Sequence, residues 1–390
     1  MLKYIKHPQH IGFGACLIIV RQSKFTKESY NMEILRKAIK AFIGDVDFKD
    51  PVTVGNGHIN STYLVKTNNN SYCLQKINTS IFRDLDGLMN NIEAVTEHIR
   101  EKSIALGRNP YRSTLKFLTA NTGKSYVLID GAAYRMYHYI DDVFTIEKME
   151  KAEHFYLSGV AFGEFARFLS DFDASVLSET IKNFHNTVSR YNDFEMAIEA
   201  NASGRADQVA DEIAFVRERK AFTSMFVDRL NDGSLPLRVT HNDTKLNNVL
   251  FDNKTETPVA VIDLDTVMPG SYLYDFGDAI RSGATHAAED EQNLDLVDFD
   301  LELYKAFAKG YLEQCGKSLT EVEIELLPYA SIMLTLECGI RFLTDHINGD
   351  TYFRIHRENH NLDRCRTQFK LVAEMEKNLD KMKEIINSLL

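Results

Sequence analysis

The residues best suited to chemistry lie in one polar segment, His-Asn-Asp-Thr-Lys-Leu-Asn-Asn at residues 241–248. Asn248 follows Asp243 by five residues, and Asp263 ends an apolar stretch twenty residues after Asp243. Phosphoryl transfer from Mg-ATP needs a carboxylate to accept the proton of the attacking hydroxyl, and amide and carboxylate oxygens to hold the metal. The spacing therefore predicts a phosphoryl-transfer site, with Asp243 as the general base and with Asn248 and Asp263 as Mg²⁺ ligands.

Each of these residues also has a structural interpretation. Asp243 could accept backbone hydrogen bonds in a turn, and Asn248 could be a turn or cap residue where a strand begins. Asn247 leaves a one-residue ambiguity, which the spacing from Asp243 resolves in favour of Asn248. Asp263 is harder to explain structurally, because a charge at the end of a buried strand is costly unless it is paired or binds metal.

A second motif, Asp275-Phe-Gly, matches the metal-binding tripeptide of protein kinases. It comes twelve residues after Asp263 and does not follow an apolar strand. We therefore predict that Asp275 hydrogen-bonds to the backbone and braces the catalytic loop. Asp265, two residues after Asp263, is a further candidate for a second metal or for substrate.

The residues before the catalytic loop predict a nucleotide site. Lys76 lies on the third predicted strand, where a lysine can reach the α- and β-phosphates of ATP. Its ionic partner is expected on the following helix. We choose Glu93, and Glu97 is the alternative. A solvated strand lysine is the alternative.

Two short segments complete this prediction. Gly55 and Gly57 form a turn whose amides could approach the phosphates, although the motif lacks a third glycine and a plain β-turn fits nearly as well. His138 and Ile140, just before a candidate hinge at residues 141–142, are assigned to nucleotide binding.

The elements that must position these groups change character along the chain. Strand patterns and one helix, residues 84–102, fill the region up to residue 140, and helical patterns dominate afterwards. The order predicts an α+β, protein-kinase-like bilobal fold, with a β-rich nucleotide-binding lobe at 32–140 and a helical catalytic and substrate lobe at 141–390. We interpret residues 1–31 as an extension, with Met32 as the functional start. The predicted later helices are 147–172, 206–230, 301–315, 321–345 and 361–389, and a strand is predicted at 114–118.

Composition excludes several classes of function. The chain has 390 residues and a formal net charge of −11, which disfavours binding to nucleic acid or to an anionic membrane surface. The apolar run at 11–20 is too short to span a bilayer. The five cysteines are scattered, which indicates reduced thiols in a cytoplasmic protein and neither a disulfide framework nor a zinc site.

A polar stretch near the carboxyl end is a candidate for substrate binding. Glu337, Arg341 and Asp345 are spaced four residues apart, which places them on one face of a helix. The plain interpretation is a surface ion-pair ladder. However, an arginine fork with an aromatic ring such as Tyr352 also suits a neutral, hydroxyl-rich ligand.

These motifs resemble the aminoglycoside phosphotransferase and choline kinase superfamily, and within it the N-acetylhexosamine 1-kinases. The likeness covers about residues 48–380 and includes 241–252, 260–270, 274–281, 184–187 and 337–352. It implies phosphorylation of the anomeric hydroxyl of an N-acetylhexosamine by Mg-ATP. By the same resemblance, Asp243 and Thr244 would contact substrate, Arg341 and Tyr352 would bind the sugar, and His58 would close over it.

Three other functions compete with this hypothesis. The chain could phosphorylate another alcohol, such as choline, an amino alcohol or an aminoglycoside, in a more acidic pocket. It could be a catalytically silent nucleotide-binding module, although the predicted catalytic residues are intact. A metal-dependent hydrolase would need more metal ligands, such as clustered histidines.

Overall fold

The computed structural model describes residues 31–54, 60–147 and 151–390, which form two compact units. The first unit contains the described residues up to Ser80 together with Phe117–Tyr139. The second unit contains Ile81–Lys116 and Ile140–Leu390. The predicted 1–31 extension falls almost wholly outside the described residues, as does the turn at 55–59.

The first unit is built on a five-stranded antiparallel sheet of order β1-β2-β3-β5-β4. The strands are β1 (Val52–Thr53), β2 (Ser61–Lys66), β3 (Ser71–Ile77), β4 (Tyr126–Ile129) and β5 (Ala132–His138). Helix α1, residues 31–43, buries Leu35 and Ile39 in one core with Leu74 and Met136 of the central strands. Residues 32–43 are therefore part of this unit's hydrophobic core.

The second unit is mostly helical. Its helices are α2 (Leu85–Ala105), α3 (Pro110–Ser113), α4 (Ala152–Phe168), α5 (Thr187–Ala200), α6 (Ala210–Glu218), α7 (Met225–Asn231), α8 (Tyr272–Gly283), α9 (Leu301–Cys315), α10 (Glu321–Ile347), α11 (His360–Lys377) and α12 (Leu379–Ser388). Its strands are β6 (Val143–Phe144), β7 (Arg238–Thr240), β8 (Val249–Asp252), β9 (Pro258–Val261) and β10 (Met268–Gly270). Strands β6, β8 and β9 form one antiparallel sheet, and β7 pairs with β10. The α+β class predicted from the sequence is confirmed.

Several predicted boundaries are wrong. No strand forms at the predicted 114–118, which follows the end of helix α3 at Ser113 and contains a single bridge between Phe117 and Tyr137. The long helix predicted at 206–230 is broken into α6 and α7, and the last helix is broken at Asn378. Helices α5 and α8 were not predicted at all.

Helix α10 is the central helix of the second unit. Thr320 and Glu323 form a capping box at its amino end, so that two of its terminal amide groups gain hydrogen-bond partners. Its length and composition would allow it to cross a bilayer, but 83% of its most apolar stretch is buried inside the protein. That burial identifies α10 as a core helix.

Glycines permit the closest helix crossings. A Cβ atom on Gly159 of α4 would lie 2.3 Å from the carbonyl oxygen of Phe307 in α9. A Cβ atom on Gly277 of α8 would lie 2.3 Å from the carbonyl oxygen of Ala330 in α10. The glycine of the Asp-Phe-Gly tripeptide therefore allows α8 to pack against α10.

Candidate active site

The catalytic loop, residues 241–248, connects β7 to β8, and its central carboxylate is held from two sides. Lys245 Nζ lies 2.8 Å from Asp243 Oδ1. The side-chain amide of Asn248 donates to Asp243 Oδ2 at 3.1 Å and to the Asp243 carbonyl oxygen at 2.8 Å. The Asp243 side chain remains 27% exposed, so a small acceptor can reach it.

His241 ties the loop to the end of β9. Its Nε2 donates to the carbonyl oxygen of Ile262 at 2.8 Å, which leaves Nδ1 as the acceptor for the amide of Asp243 at 3.3 Å. The amide of Ile262 in turn donates to the Asn248 carbonyl oxygen at 2.9 Å. These bonds fix the loop beside the residue that precedes Asp263.

Asp263 and Asn248 offer oxygen atoms of the kind that Mg²⁺ prefers. Asp263 is exposed and has a left-handed backbone conformation, with φ 60° and ψ 55°. Such a conformation in a residue other than glycine costs energy and is common at functional sites. The amide nitrogen of Asn248 is bonded to Asp243, so its side-chain oxygen is oriented away from that bond. Mg²⁺ usually needs only one or two protein ligands besides phosphates and water, and these residues fit it. Asp265 is buried, in contrast to Asp263.

Helix α8 braces the catalytic loop through Asp275. The amides of His241 and Asn242 donate to its two carboxylate oxygens at 2.9 and 2.8 Å. Burial raises the pKa of Asp275 to about 6, although His241 and the two amides act to lower it. The prediction that Asp275 binds backbone and braces the loop is confirmed.

Thr244, which was predicted to contact substrate, is buried against α8. It is only 1% exposed, and its amide donates to Asp278 Oδ2 at 3.0 Å. Its hydroxyl donates to the carbonyl oxygen of Asp275 at 2.7 Å. Thr244 therefore anchors the loop to α8, because both of its hydrogen-bonding groups are already used there.

Lys245, Asp278 and Arg281 form a charged network that the sequence analysis did not assign to the site. Arg281 Nε donates to Asp278 Oδ1 at 2.9 Å, and both residues are buried. Burial would raise the pKa of Asp278, but Arg281 and Lys245 lower it below its ordinary value. Burial acts to lower the pKa of Lys245, whereas Asp243 and Asp278 raise it overall. The network keeps a cation beside Asp243. Its sequence signal was the three-residue spacing of Asp275, Asp278 and Arg281, which is a helical pattern.

A cavity of about 460 Å³ lies between α5, the end of α10 and the residues that follow it. Its volume is in the range of small-molecule sites. It is lined by Arg190, Asp193, Met196, Ala197, Ala200, Arg341, Thr344, Asp345, Asn348, Thr351, Tyr352 and Phe353. We call it the acceptor cavity. Tyr352, which is 68% exposed, and Arg341 both line it, so the structure brings together two residues predicted to bind substrate.

Arg341 packs against two aromatic rings. Its Cζ lies 5.5 Å from the ring centre of Phe184 and 5.6 Å from that of Phe353. Its guanidinium group donates no hydrogen bond within the described part of the chain. Cation–π contacts on two rings fix the orientation of the group and leave its donors available to a ligand.

Glu337, Arg341 and Asp345 do not form the surface ion-pair ladder that was the plain interpretation of their spacing, because both carboxylates are buried. Glu337 is 1% exposed and accepts hydrogen bonds from His185 at 2.8 Å and Thr187 at 2.7 Å. Burial would raise the pKa of Glu337, but His185 and Arg341 hold it below its usual range. Asp345 accepts hydrogen bonds from the amides of residues 351, 352 and 353 and from Asn361. Asp345 thus shapes the segment that carries Tyr352.

The predicted nucleotide-binding residues are divided between the two units. Lys76 is exposed on β3, and His138 ends β5 in the first unit. Glu93 is exposed on α2, and Ile140 is buried, both in the second unit. Glu97 is bound by Arg100, which lowers the pKa of Glu97. Gly55, Gly57 and His58 lie outside the described residues.

Comparison with known proteins gives one family and a common fold. Residues 52–311 match the phosphotransferase enzyme family. An aminoglycoside phosphotransferase from Alicyclobacillus acidocaldarius is 12% identical with a TM-score of 0.61, over 90% of this chain and 96% of that one. The microcompartment-associated aminopropanol kinase is 16% identical with a TM-score of 0.58, over 90% and 98%. Spectinomycin phosphotransferase, in complex with ADP and spectinomycin, is 13% identical with a TM-score of 0.52, over 90% and 98%. The kinase-like fold predicted from the sequence is confirmed.

Proposed function

Because the chain belongs to the phosphotransferase enzyme family, we propose that it is a small-molecule kinase for an N-acetylhexosamine. It would transfer the γ-phosphoryl group of Mg-ATP to the anomeric hydroxyl and release ADP and the sugar 1-phosphate. The observation that carries this choice of acceptor is Arg341, whose donors face a cavity while two aromatic rings hold it in place.

The catalytic loop supplies the groups for the transfer. Asp243 accepts the proton of the acceptor hydroxyl as the new oxygen–phosphorus bond forms and the bond to ADP breaks. An anomeric hydroxyl is more acidic than an ordinary alcohol, so one oriented carboxylate can suffice. Lys245, whose Nζ lies 2.8 Å from Asp243 Oδ1, places positive charge beside the reacting groups.

Magnesium would be held by the side-chain oxygen of Asn248 and by the Asp263 carboxylate. When bound, the ion offsets the negative charge of the phosphates. Lys76 would bind the α- and β-phosphates of ATP. The engagement of Glu97 with Arg100 leaves Glu93 as the carboxylate proposed for nucleotide binding.

The acceptor cavity favours an oxygen-rich ligand over a cation. Each carboxylate oxygen of Asp345 already accepts two hydrogen bonds from the chain. The other lining carboxylate, Asp193, lies 3.8 Å from Arg190. With two arginines lining the cavity, sugar hydroxyl and carbonyl oxygens find donors there, and an ammonium group would be repelled.

The second candidate is a kinase for an amino alcohol or an aminoglycoside. It is favoured by the solved structures of similar fold, which include an aminopropanol kinase and a spectinomycin phosphotransferase. The exposed ring of Tyr352 supports it too, because an aromatic face can bind a cationic ligand.

Release of ADP on a panel of acceptors tests both candidates. The panel would contain N-acetylglucosamine, N-acetylgalactosamine, glucose, choline, ethanolamine, aminopropanol and an aminoglycoside, each with Mg-ATP. We expect turnover with the N-acetylhexosamines and a product whose phosphate is on the anomeric carbon. Asp243→Asn should lower kcat by about 100-fold or more with little change in ATP binding. Turnover with amines alone would overturn the sugar assignment, and wild-type kcat in Asp243→Asn would overturn the assignment of the base.

We also propose a cytoplasmic location. The four described cysteines that are free, Cys73, Cys315, Cys338 and Cys365, agree with a reducing environment.

A further inference from the structure

A second cavity, of about 170 Å³, lies in the second unit beside the catalytic loop. We call it the inner cavity. Its polar lining includes Asn242 of the catalytic loop, Tyr274 of α8 and His185, which precedes α5. Its apolar lining includes Val227, Leu230, Leu237, Met268 and Pro269. Because a water molecule takes up about 30 Å³ of liquid, the inner cavity has room for about five waters or for one small molecule.

His185 brings a buried ring nitrogen without a partner to this cavity. Its side chain is 7% exposed, and its Nδ1 donates to Glu337 Oε1 at 2.8 Å. The two nitrogens of an imidazole point in roughly opposite directions, so Nε2 is turned away from Glu337. Nε2 has no hydrogen-bond partner among the described residues. A buried nitrogen in this state costs free energy, which a ligand hydroxyl would recover.

Tyr274 and Asn242 add two more unused polar atoms. The hydroxyl of Tyr274 makes no hydrogen bond within the described part of the chain, although the residue is buried. Burial raises the pKa of Tyr274, so this hydroxyl stays neutral and can donate. Asn242 Nδ2 donates to the Thr266 carbonyl oxygen at 2.8 Å, whereas its side-chain oxygen accepts no hydrogen bond from the described residues. A few polar groups that converge on an apolar wall are typical of small-molecule sites.

The charges around the inner cavity favour a neutral ligand. None of the described residues that line it is a lysine or an arginine, so an anion would find no counter-charge there. Its one lining carboxylate, Glu179, is exposed and accepts a hydrogen bond from the amide of Asn183 at 2.7 Å. A buried ammonium group would therefore also lack a dedicated partner.

We propose that the inner cavity is a binding site for a small neutral polyol. Its hydroxyl groups donate to the side-chain oxygen of Asn242 and exchange hydrogen bonds with Tyr274 and His185, while its carbon atoms pack on the apolar wall. The amide of Asn242 already donates to Asp275, the neighbour of Tyr274, at 2.8 Å. A bound polyol adds a second link between α8 and the catalytic loop and so stabilises the loop. The site does not depend on which acceptor is phosphorylated.

An introduced tryptophan would report binding, because the chain contains none of its own. Leu237→Trp places an indole at a lining position that is 50% exposed. Glycerol, erythritol and xylitol should each give a saturable change in its fluorescence, whereas ethanolamine and glycerol 3-phosphate should not. Leu296→Trp, which is exposed and outside the cavity, is the control for effects of the solvent. The same response from both tryptophans would overturn the proposal.

Removal of the unused polar atoms tests the contacts in the Leu237→Trp background. Tyr274→Phe breaks no internal hydrogen bond and should raise the Kd for erythritol by about 5-fold or more. His185→Asn keeps a donor for Glu337 but removes Nε2, and it should cause a similar loss. Tyr304→Phe is the matched control, since that hydroxyl also has no partner among the described residues and lies outside the cavity. An equal Kd in the two Tyr→Phe variants would contradict the assigned contacts.

Hydrogen–deuterium exchange tests the link to the catalytic loop. Saturating erythritol should slow amide exchange in the peptide that spans residues 237–248, and Tyr274→Phe should weaken this protection. Unchanged exchange in the presence of bound polyol would overturn the link. Failure of ADP release with every acceptor would instead overturn the proposed function and leave this site standing.

Discussion

Replacing Asp275 with Asn distinguishes loop bracing from metal binding by the Asp-Phe-Gly tripeptide. The two carboxylate oxygens of Asp275 accept hydrogen bonds from the amides of His241 and Asn242 at 2.9 and 2.8 Å. Asparagine has one acceptor oxygen and one NH₂ group. One of the two amides would therefore face a donor in place of an acceptor.

The size of the effect follows from that mismatch. A hydrogen bond to a charged group contributes about 1.5–3 kcal/mol, and a buried unsatisfied donor costs about 1–3 kcal/mol. We expect the free energy that holds the catalytic loop in place to fall by about 2–4 kcal/mol. If this loss appears in the chemical step, kcat falls by about 30-fold or more.

The pH dependence gives a second signature. Burial raises the pKa of Asp275 from its ordinary value of 3.8 to about 6. Below pH 6 the folded protein takes up a proton there, one oxygen becomes a donor, and kcat should fall. The contribution of Asp275 to stability is fully present below pH 3.8, about 3 kcal/mol, and is lost as the pH rises through about 6. As the pH falls through about 6, kcat should therefore decrease while the contribution of Asp275 to the free energy of unfolding increases.

The assay is steady-state kinetics from pH 5 to 8, with a titration of Mg²⁺ at pH 7.5. Loop bracing predicts an unchanged Mg²⁺ requirement in Asp275→Asn and loss of the acid limb near pH 6. Asp232→Asn, at an exposed turn, is the control. Wild-type kcat in Asp275→Asn, or a strongly raised Mg²⁺ requirement, would refute the reasoning.

Three further predictions concern stability, nucleotide binding and metal. Gly277→Ala should destabilise the protein by about 3 kcal/mol, a fall in Tm of roughly 5 °C, because its Cβ would lie 2.3 Å from a backbone oxygen of α10. Gly316→Ala, where the nearest atom is 3.7 Å away, is the control, and an equal Tm for both variants would contradict the argument. Glu93→Gln should raise KM for ATP by about 10-fold whereas Glu97→Gln should not, as ADP-release kinetics would show, and the reverse order would reassign the lysine partner. Asp263→Asn should increase the Mg²⁺ concentration needed for half-maximal turnover by 10-fold or more, and an unchanged titration would remove Asp263 from the metal site.

The spacing of residues revealed the catalytic loop because its chemistry is local in sequence. Asp243 and Asn248 belong to one loop, so a spacing of five residues already implies that they are close. In the structure the side-chain amide nitrogen of Asn248 lies 3.1 Å from Asp243 Oδ2. The bracing role of Asp275 was also predicted, because the absence of a preceding apolar strand was visible in the sequence.

Other parts of the site were not predictable in this way. Helix α8 has an amphipathic pattern, but its polar face is buried too, because Asp275 and Asp278 bind the catalytic loop. Thr244 was assigned to substrate through the family resemblance, and its sequence neighbours give no sign that α8 buries it. A surface ladder of Glu337, Arg341 and Asp345 was one interpretation of their spacing, but His185 and Asn361 bind the two carboxylates in the folded chain.

The amino-acid sequence by itself predicted the groups that we propose for phosphoryl transfer, since those groups lie within a short segment and a strand end. Only the tertiary structure decided what surrounds them. The acceptor cavity forms where α5 packs against α10. These helices are about 150 residues apart in the sequence, as the hydrogen bond from Thr187 to Glu337 shows. No local pattern encodes such a contact, because burial and packing depend on which distant surfaces fit together. The choice of acceptor is therefore a property of the folded chain.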